Sequence, residues 1–120
     1  MTKEQALDTF WNSFGIPAYD VNTVPDDAEF PRIAYEVATS RFQDRLTLGA
    51  NLYYRSNSWR EISLKKDEIA NFIGDRLNIA IDGGYLSIEQ GDGFAQRMSD
   101  DDDAVRRYYI TIIVEFLTRF

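Results

Sequence analysis

The clearest alternation of apolar and polar positions lies at residues 105–120, whose sequence is VRRYYITIIVEFLTRF. A period of two with β-branched and aromatic side chains is typical of a long β-strand, which we expect to run through the middle of a sheet. The face expected to carry the hydrophobic core consists of Tyr108, Ile110, Ile112, Val114 and Phe116. The opposite, mixed face consists of Arg107, Tyr109, Thr111, Ile113, Glu115, Leu117 and Arg119.

Shorter segments show the same alternation. Residues 32–39 and 47–55 predict two strands that pair in antiparallel fashion across a loop at residues 40–46. Residues 85–89 predict a further strand, and the Gly-Asp-Gly sequence at residues 91–93 predicts a turn.

Helical spacing of apolar residues marks the N-terminal segment. Residues 2–14 predict a helix, because Thr2 and Gln5 fit a capping box and Gly15 follows at the position where helices commonly end. Residues 16–19 are then expected to be briefly extended. The apolar stripe of the helix, expected to pack against the sheet, comprises Ala6, Leu7, Phe10, Trp11 and Phe14.

A second helix is predicted to begin near Ser58. Ser58 and Glu61 fit another capping box, although Ser63 is a competing start. We expect this helix to run to about Leu77, with Gly74 inside its last turn. The apolar face comprises Ile62, Ile69, Phe72, Ile73 and Leu77.

These elements predict an α+β fold in a single domain at residues 1–120. We expect an antiparallel sheet of about four to five strands flanked by two helices, both on one face of the sheet. The length of 120 residues and the hydrophobic content of 44% suffice for one core without metal ions or disulfides. No apolar run reaches the roughly 18 residues of a membrane span, and residues 1–14 lack the apolar region of a signal peptide. The absence of cysteine fits a reducing compartment, with the cytoplasm of the producing cell as the default.

The formal charge of −7 disfavours binding to nucleic acid, which depends on clustered lysines and arginines. Basic and aromatic residues interleave at residues 106–109, with the sequence RRYY. That segment fits stacking on single-stranded nucleic acid, or charge pairing with the four aspartates that precede it. We expect the charge pairing.

Candidate chemistry is sparse. The chain has no histidine and no cysteine, which excludes triads and dyads built on either residue and the usual zinc sites. Loops that bind phosphates or dinucleotides are also missing. Acidic clusters at residues 26–29 and 100–103 offer oxygen ligands but lack the spacing of a calcium loop. We therefore expect no metal site, no cofactor and no enzymatic activity.

Three stretches carry a resemblance to a known family: FWNSFGIPAYDVNTVPDDAEFPRIAYEV at residues 10–37, LYYRSNSWREISLKKDEIANFIG at residues 52–74, and GFAQRMSDDDDAVRRYYITIIVEFLT at residues 93–118. Together they resemble tail terminator proteins of long-tailed bacteriophages, a group often labelled minor capsid or tail completion proteins. The resemblance covers nearly the whole chain. It implies a structural protein of the virion, located at the junction of tail and neck and assembled in the host cytoplasm.

The resemblance also implies partners. Such proteins form a hexameric ring on the end of the tail tube, stop tube polymerisation and offer a surface to the head–neck connector. DNA passes through the ring without specific binding, and an acidic lumen favours its passage by repelling phosphates. Candidate residues of the lumen or rim are Asp100, Asp101, Asp102 and Asp103. Candidate subunit contacts are Arg41, Phe42, Tyr109, Ile113 and Leu117.

Other interpretations stay open. In the same setting, the chain fits a head–tail joining protein or a subunit of the tail tube. In a different class, a small acidic protein without catalytic motifs fits a DNA mimic, whose carboxylates are spaced like phosphates on a monomer or dimer. For the mixed face of the last strand, a covering helix is as well supported as a subunit contact.

Overall fold

The computed structural model describes residues 1–37 and 45–118, which fold into two α-helices and a six-stranded sheet. The helices are α1 (Lys3–Trp11), extended by a 3₁₀ turn (Asn12–Phe14), and α2 (Arg60–Ile73). The strands are β1 (Ala18–Asp20), β2 (Arg32–Tyr35), β3 (Leu46–Arg55), β4 (Leu77–Ile81), β5 (Gly84–Met98) and β6 (Val105–Thr118). The α+β class is therefore confirmed, while the predicted number of four to five strands was too low.

The long last strand lies in the middle of the sheet, as predicted. The strand order is β1-β2-β3-β6-β5-β4, and β6 pairs in antiparallel fashion with β3 on one side and with β5 on the other. The even-numbered face of β6 is the core face, because its members Tyr108, Ile110, Ile112 and Val114 are all buried.

Both helices pack on this core face. One hydrophobic cluster contains the buried residues of α1, those of α2 and the even-numbered residues of β6. The expectation of two helices on one face is thus confirmed. The opposite face of the sheet, which we call the outer face, is covered by neither helix, so the covering helix considered above was wrong.

The boundaries of α1 follow the sequence signals. Thr2 accepts a hydrogen bond from the backbone N–H of Gln5, and the Gln5 side chain accepts one from Thr2, so the capping box is present. Gly15 adopts the left-handed conformation just after the 3₁₀ turn. The predicted apolar stripe is fully buried, with Phe10 edge-on to Trp11 and to Phe14.

The second helix differs from its prediction at both ends. Its N-cap is Trp59, which makes no capping side-chain hydrogen bond, and the Ser58 hydroxyl instead accepts from the Arg60 N–H two residues on. The helix ends at Ile73 because Gly74 adopts a positive φ of 58°. Leu77, predicted as its last apolar residue, belongs to β4.

The sheet is mixed and larger than predicted. β1, where only a briefly extended segment was expected, pairs in parallel with β2 and makes one edge of the sheet. β4, which the sequence analysis missed, pairs with β5 and makes the other edge. The antiparallel pairing of β2 with β3 is confirmed.

The Gly-Asp-Gly segment is not a turn between strands. β5 runs continuously from Gly84 to Met98, and residues 91–94 form an irregularity opposite Thr111 of β6. A Cβ atom at Gly91 would lie 2.8 Å from the Thr111 hydroxyl oxygen, which is closer than real Cβ contacts. The glycine therefore serves close packing between two paired strands.

A side chain occupies the open edge of β1. The Asn12 carboxamide accepts a hydrogen bond from the Ala18 N–H at 3.1 Å and donates one to the Ala18 carbonyl at 3.3 Å. These are the two backbone groups that an added strand would otherwise pair with, and blocking them protects the edge against aggregation.

We expect Asn12→Ala to lower the free energy of unfolding by about 1–2 kcal/mol, because it leaves both Ala18 groups without their partner. Urea unfolding at neutral pH measures the change. The neighbouring exposed Ser13→Ala is the control, with an expected change below about 0.5 kcal/mol. Equal effects of the two substitutions would contradict the bridging role of Asn12.

Candidate functional site

The outer face carries three of the residues predicted as subunit contacts, Tyr109, Ile113 and Leu117. All three are half-buried, because side chains of the neighbouring strands surround them on the same face. Across β6, Tyr109 is paired with Asn51, Ile113 with Thr47, and Leu117 with Tyr85. Arg41 and Phe42, the other two predicted contacts, lie outside the described residues.

Tyr109 is held in place by local packing. Its ring lies over Gly49 of β3, where a Cβ atom would overlap the phenol. Glu36 accepts a hydrogen bond from the Gly49 N–H at 2.7 Å. Burial raises the pKa of Tyr109, and the charge of Glu36 and a hydrogen bond with it raise that pKa further. The exposed part of Tyr109 is therefore a rigid element of the outer face.

Ile113 adjoins a cluster of charges. It is paired with Glu89 of β5, whose carboxylate lies 2.7 Å from Arg45 and 2.6 Å from Arg76. Hydrogen bonds from Arg76 and Arg45 hold the pKa of the Glu89 carboxyl below its ordinary value. The two ion pairs connect β5 with the segments that precede β3 and β4.

Because the pKa of Glu89 is lower in the folded state than in the unfolded chain, its stabilising effect is present above the unfolded pKa and is lost as the pH falls through the folded pKa. We therefore expect Glu89→Gln to be less stable than the wild type at about pH 7, with a difference that shrinks below about pH 4. Urea unfolding at several pH values checks this, with exposed Glu29→Gln as control. A difference that grows on acidification would contradict the assignment.

The arginine row, which we define as Arg32, Tyr53 and Arg107, crosses one end of the outer face. Tyr53 of β3 is paired with Arg32 of β2 on one side and with Arg107 of β6 on the other. The Arg32 guanidinium stacks 4.3 Å from the centre of the Phe30 ring and 5.0 Å from that of Tyr53, and Arg55 lies 4.6 Å from Phe30. Stacking on aromatic rings fixes the orientation of these cations.

The acidic loop, residues 99–104, lies at the same end of the sheet. Two of the four predicted rim residues are used within the loop. Asp100 accepts a hydrogen bond from the Asp102 N–H, and Asp102 accepts one from the Ala104 N–H and pairs with Arg55 at 3.1 Å. The Ala104 N–H and Arg55 lower the pKa of Asp102. Asp101 and Asp103 are exposed and accept no hydrogen bond through their carboxylates from any described residue.

The charge pairing expected between the RRYY segment and the aspartates is wrong in detail. Arg106 donates to the backbone carbonyls of Asp103 and Asn57, and Arg107 donates to the Asn51 side chain and the Ser99 carbonyl. Neither guanidinium pairs with a carboxylate of a described residue. The carboxylate of Asp102 is instead bound by Arg55, which is distant in sequence.

A hollow of about 300 Å³ opens beside the acidic loop on the helix-bearing face. Trp59 lines it, with the guanidinium groups of Arg97 and Arg106 at 4.5 Å and 5.6 Å from the ring centre. Asp100 and Asp103 also line this hollow. The acidic loop therefore borders the helix-bearing face at this hollow, and it also contacts the outer face through Ser99 and Asp102, which bind Arg107 and Arg55.

Tyr108, whose ring packs edge-on against Trp59, takes part in a polar network. Burial raises its pKa, but hydrogen bonds with Ser63 and Arg97 and the charges of Arg97 and Lys66 lower it by more, so that the pKa is lowered overall. The residue is 6% exposed. A buried hydroxyl bonded to both α2 and β5 stabilises the packing of these elements on β6, which also accounts for its perturbed pKa.

The acidic cluster at residues 26–29 does not form a metal-binding site. Asp26, Asp27 and Glu29 are exposed, and the part of the chain that the structure describes holds no group of three or more side chains able to bind a metal ion. Within residues 1–37 and 45–118, no helix has the length and apolar character needed to cross a bilayer.

Comparisons of the chain with protein-family models and with curated proteins found no match. Function is therefore inferred from the chain's own surfaces and from the resemblance described above. The sequence pattern predicts the exposed face of β6 and the acidic loop as candidate sites. It missed the arginine row, whose members come together only through the pairing of β2, β3 and β6.

Proposed function

We propose that this protein is a structural phage tail protein that caps the tail tube as a hexameric ring, ends tube polymerisation and provides the surface for joining to the head–neck connector. The observation that carries the proposal is the outer face of the sheet. Both helices pack on the other side, and the central strand presents Tyr109, Ile113 and Leu117 on a face that neither helix covers. The resemblance of the chain to tail terminator proteins supports the same function.

Assembly through this face is physically favoured over assembly through the β1 edge. The Asn12 side chain occupies the backbone groups of Ala18 at that edge, so strand addition there requires the loss of two hydrogen bonds. The outer face offers half-buried apolar and aromatic side chains on rigid strands. Such surfaces lose little side-chain entropy when they become buried between subunits.

The alternatives from the same setting predict different assemblies. A tail-tube subunit polymerises into long tubes, while a terminator stops at one ring, and a joining protein binds the connector without binding the tube. The DNA mimic is less well supported, because the end of the molecule that carries the exposed aspartates also carries Arg32, Arg55 and Arg107. A DNA mimic needs a surface of negative charges spaced like phosphates, and arginines among the carboxylates interrupt such a surface.

Light scattering across a concentration series, with negative-stain microscopy, tests the proposal. We expect a mass of about six subunits with ring-shaped particles, or a monomer in solution that isolated tail tubes recruit to their ends. A monomer at all concentrations that tail tubes do not recruit would overturn the proposal. Long polymers would identify a tube subunit, and tight salt-sensitive binding of a monomer to a basic partner would identify a DNA mimic.

A further inference from the structure

Two oppositely charged surfaces lie at the same end of the sheet. The arginine row is on the outer face, where Arg32, Tyr53 and Arg107 are directly paired across three strands. The acidic loop borders the helix-bearing face, where Asp103 lines the hollow beside Trp59. Within one molecule the acidic loop is joined to this end of the outer face through the Ser99 carbonyl, which accepts from Arg107, and through the Asp102–Arg55 ion pair. The carboxylates of Asp101 and Asp103 form no ion pair with the arginine row, so they can bind the row of a different copy of the chain.

The arginine row lacks compensating charge. No carboxylate of a described residue lies within ion-pair distance of Arg32 or Arg107. Arg32 donates to one acceptor, the Ala28 carbonyl, and Arg107 donates to the Asn51 side chain and the Ser99 carbonyl. The Nε atoms of both arginines are buried without an acceptor among the described residues. In a chain of net charge −7, these two guanidinium groups form a local site that attracts carboxylates.

The acidic loop has the complementary chemistry. Asp100 and Asp102 hold the shape of the loop through hydrogen bonds to its backbone. That arrangement leaves the carboxylates of Asp101 and Asp103 exposed, two positions apart on a loop whose conformation is already fixed. A preorganised loop loses less entropy when it is bound than a flexible one does.

We propose that copies of this chain associate head to tail, with Asp101 and Asp103 of one copy binding the arginine row of the next. This contact rests on the proposed function and names the surfaces that would close the ring. Since each contact joins the acidic loop of one copy to the arginine row of the next, it is heterologous, and copies add in one direction until the ring closes. It assigns the acidic loop to the subunit interface instead of the lumen.

Reciprocal charge reversal tests this contact. One variant carries Arg32→Glu and Arg107→Glu, and the other carries Asp101→Lys and Asp103→Lys. In either variant by itself, the loop and the row that it would bind carry charges of the same sign. We therefore expect association at least about 100-fold weaker than in the wild type. In an equimolar mixture, the lysine-bearing loop of one variant can bind the glutamate-bearing row of the other, and the unchanged loop and row can bind each other. We therefore expect the mixture to restore rings in which the two variants alternate. Circular dichroism checks that both variants fold.

Exposed charges elsewhere provide the control. Arg60→Glu and Asp75→Lys are expected to leave the assembly mass unchanged, either in solution or on isolated tail tubes. If the wild type forms rings and both reversed variants form them equally well, the head-to-tail contact is wrong while the ring function stands. Failure of the mixture to recover also overturns the contact. A wild type that assembles neither alone nor on tubes overturns the ring function and the contact together.

A salt series needs no variant and covers the case in which a reversed variant does not fold. Raising the salt from about 0.05 M to about 1 M shortens the screening length to roughly 3 Å. We expect wild-type association, measured by sedimentation, to weaken at least about tenfold. Association that is unchanged or strengthened by salt would overturn the charge-paired contact.

Discussion

Ile112→Asp is expected to leave the chain unfolded. Ile112 is fully buried in the middle of β6, paired with Leu48 on one side and Gln90 on the other. A carboxylate there has no cation to pair with in the apolar core, and its burial costs several kcal/mol. A domain of this size is typically stable by only about 5–15 kcal/mol. Far-UV circular dichroism and urea unfolding measure the loss, and Ile112→Val is expected to cost only about 1 kcal/mol.

The adjacent residue provides a matched comparison. Ile113 points to the outer face, so we expect Ile113→Asp to fold, with only a small loss of stability from the like charge of the paired Glu89. Under the proposed ring function, the same substitution disrupts assembly. If Ile113→Asp unfolds the chain as completely as Ile112→Asp, both faces of β6 belong to the core of the subunit.

Elements with strong local signals were predictable. The first helix carries a complete capping box and five apolar residues at helical spacing, and each of these signals has a direct physical role in the structure. The last strand alternates over most of its length, and its even-numbered residues are the centre of the core. In both elements, local preference and the tertiary fold favour the same conformation.

Two boundaries were predicted wrongly because the sequence there fits two kinds of secondary structure. Leu77 follows Ile73 at helical spacing, but it also begins the alternation Leu77, Ile79 and Ile81 of β4. Gly74 decides between them, because its positive φ ends the helix. At residues 91–93, glycines typical of a turn lie within a continuous strand, since the side chain of Thr111 occupies the space beside Gly91.

The arginine row was beyond any local analysis. Arg32, Tyr53 and Arg107 are separated by 21 and 54 positions in the sequence, and only the register of three strands brings them together. Register depends on the whole hydrophobic pattern and on the loops between the strands. The acidic loop, by contrast, is visible as a run of four aspartates, although the division into two hydrogen-bonded carboxylates and two without a partner among the described residues is not.

Gly84, the first residue of β5, is where we expect the second large effect on stability. A Cβ atom at Gly84 would overlap the carbonyl oxygen of Leu117 in β6, and this oxygen is part of the backbone and cannot rotate away. We therefore expect Gly84→Ala to lower the free energy of unfolding by about 2–4 kcal/mol. Urea unfolding measures the loss.

The adjacent position, Gly83, favours glycine for a different reason, so substitutions at the two positions should have different effects on stability. Its φ of +80° is left-handed, but a Cβ atom there would meet nothing closer than the Phe116 ring at 4.0 Å. Gly83→Ala should cost about 1–2 kcal/mol, and Gly83→Asn should cost less, because asparagine tolerates this conformation. At Gly84, asparagine should be at least as harmful as alanine, since the larger side chain meets the same carbonyl. If asparagine is better tolerated than alanine at both positions, conformation alone explains both glycines, and the close approach of β6 to Gly84 is wrong.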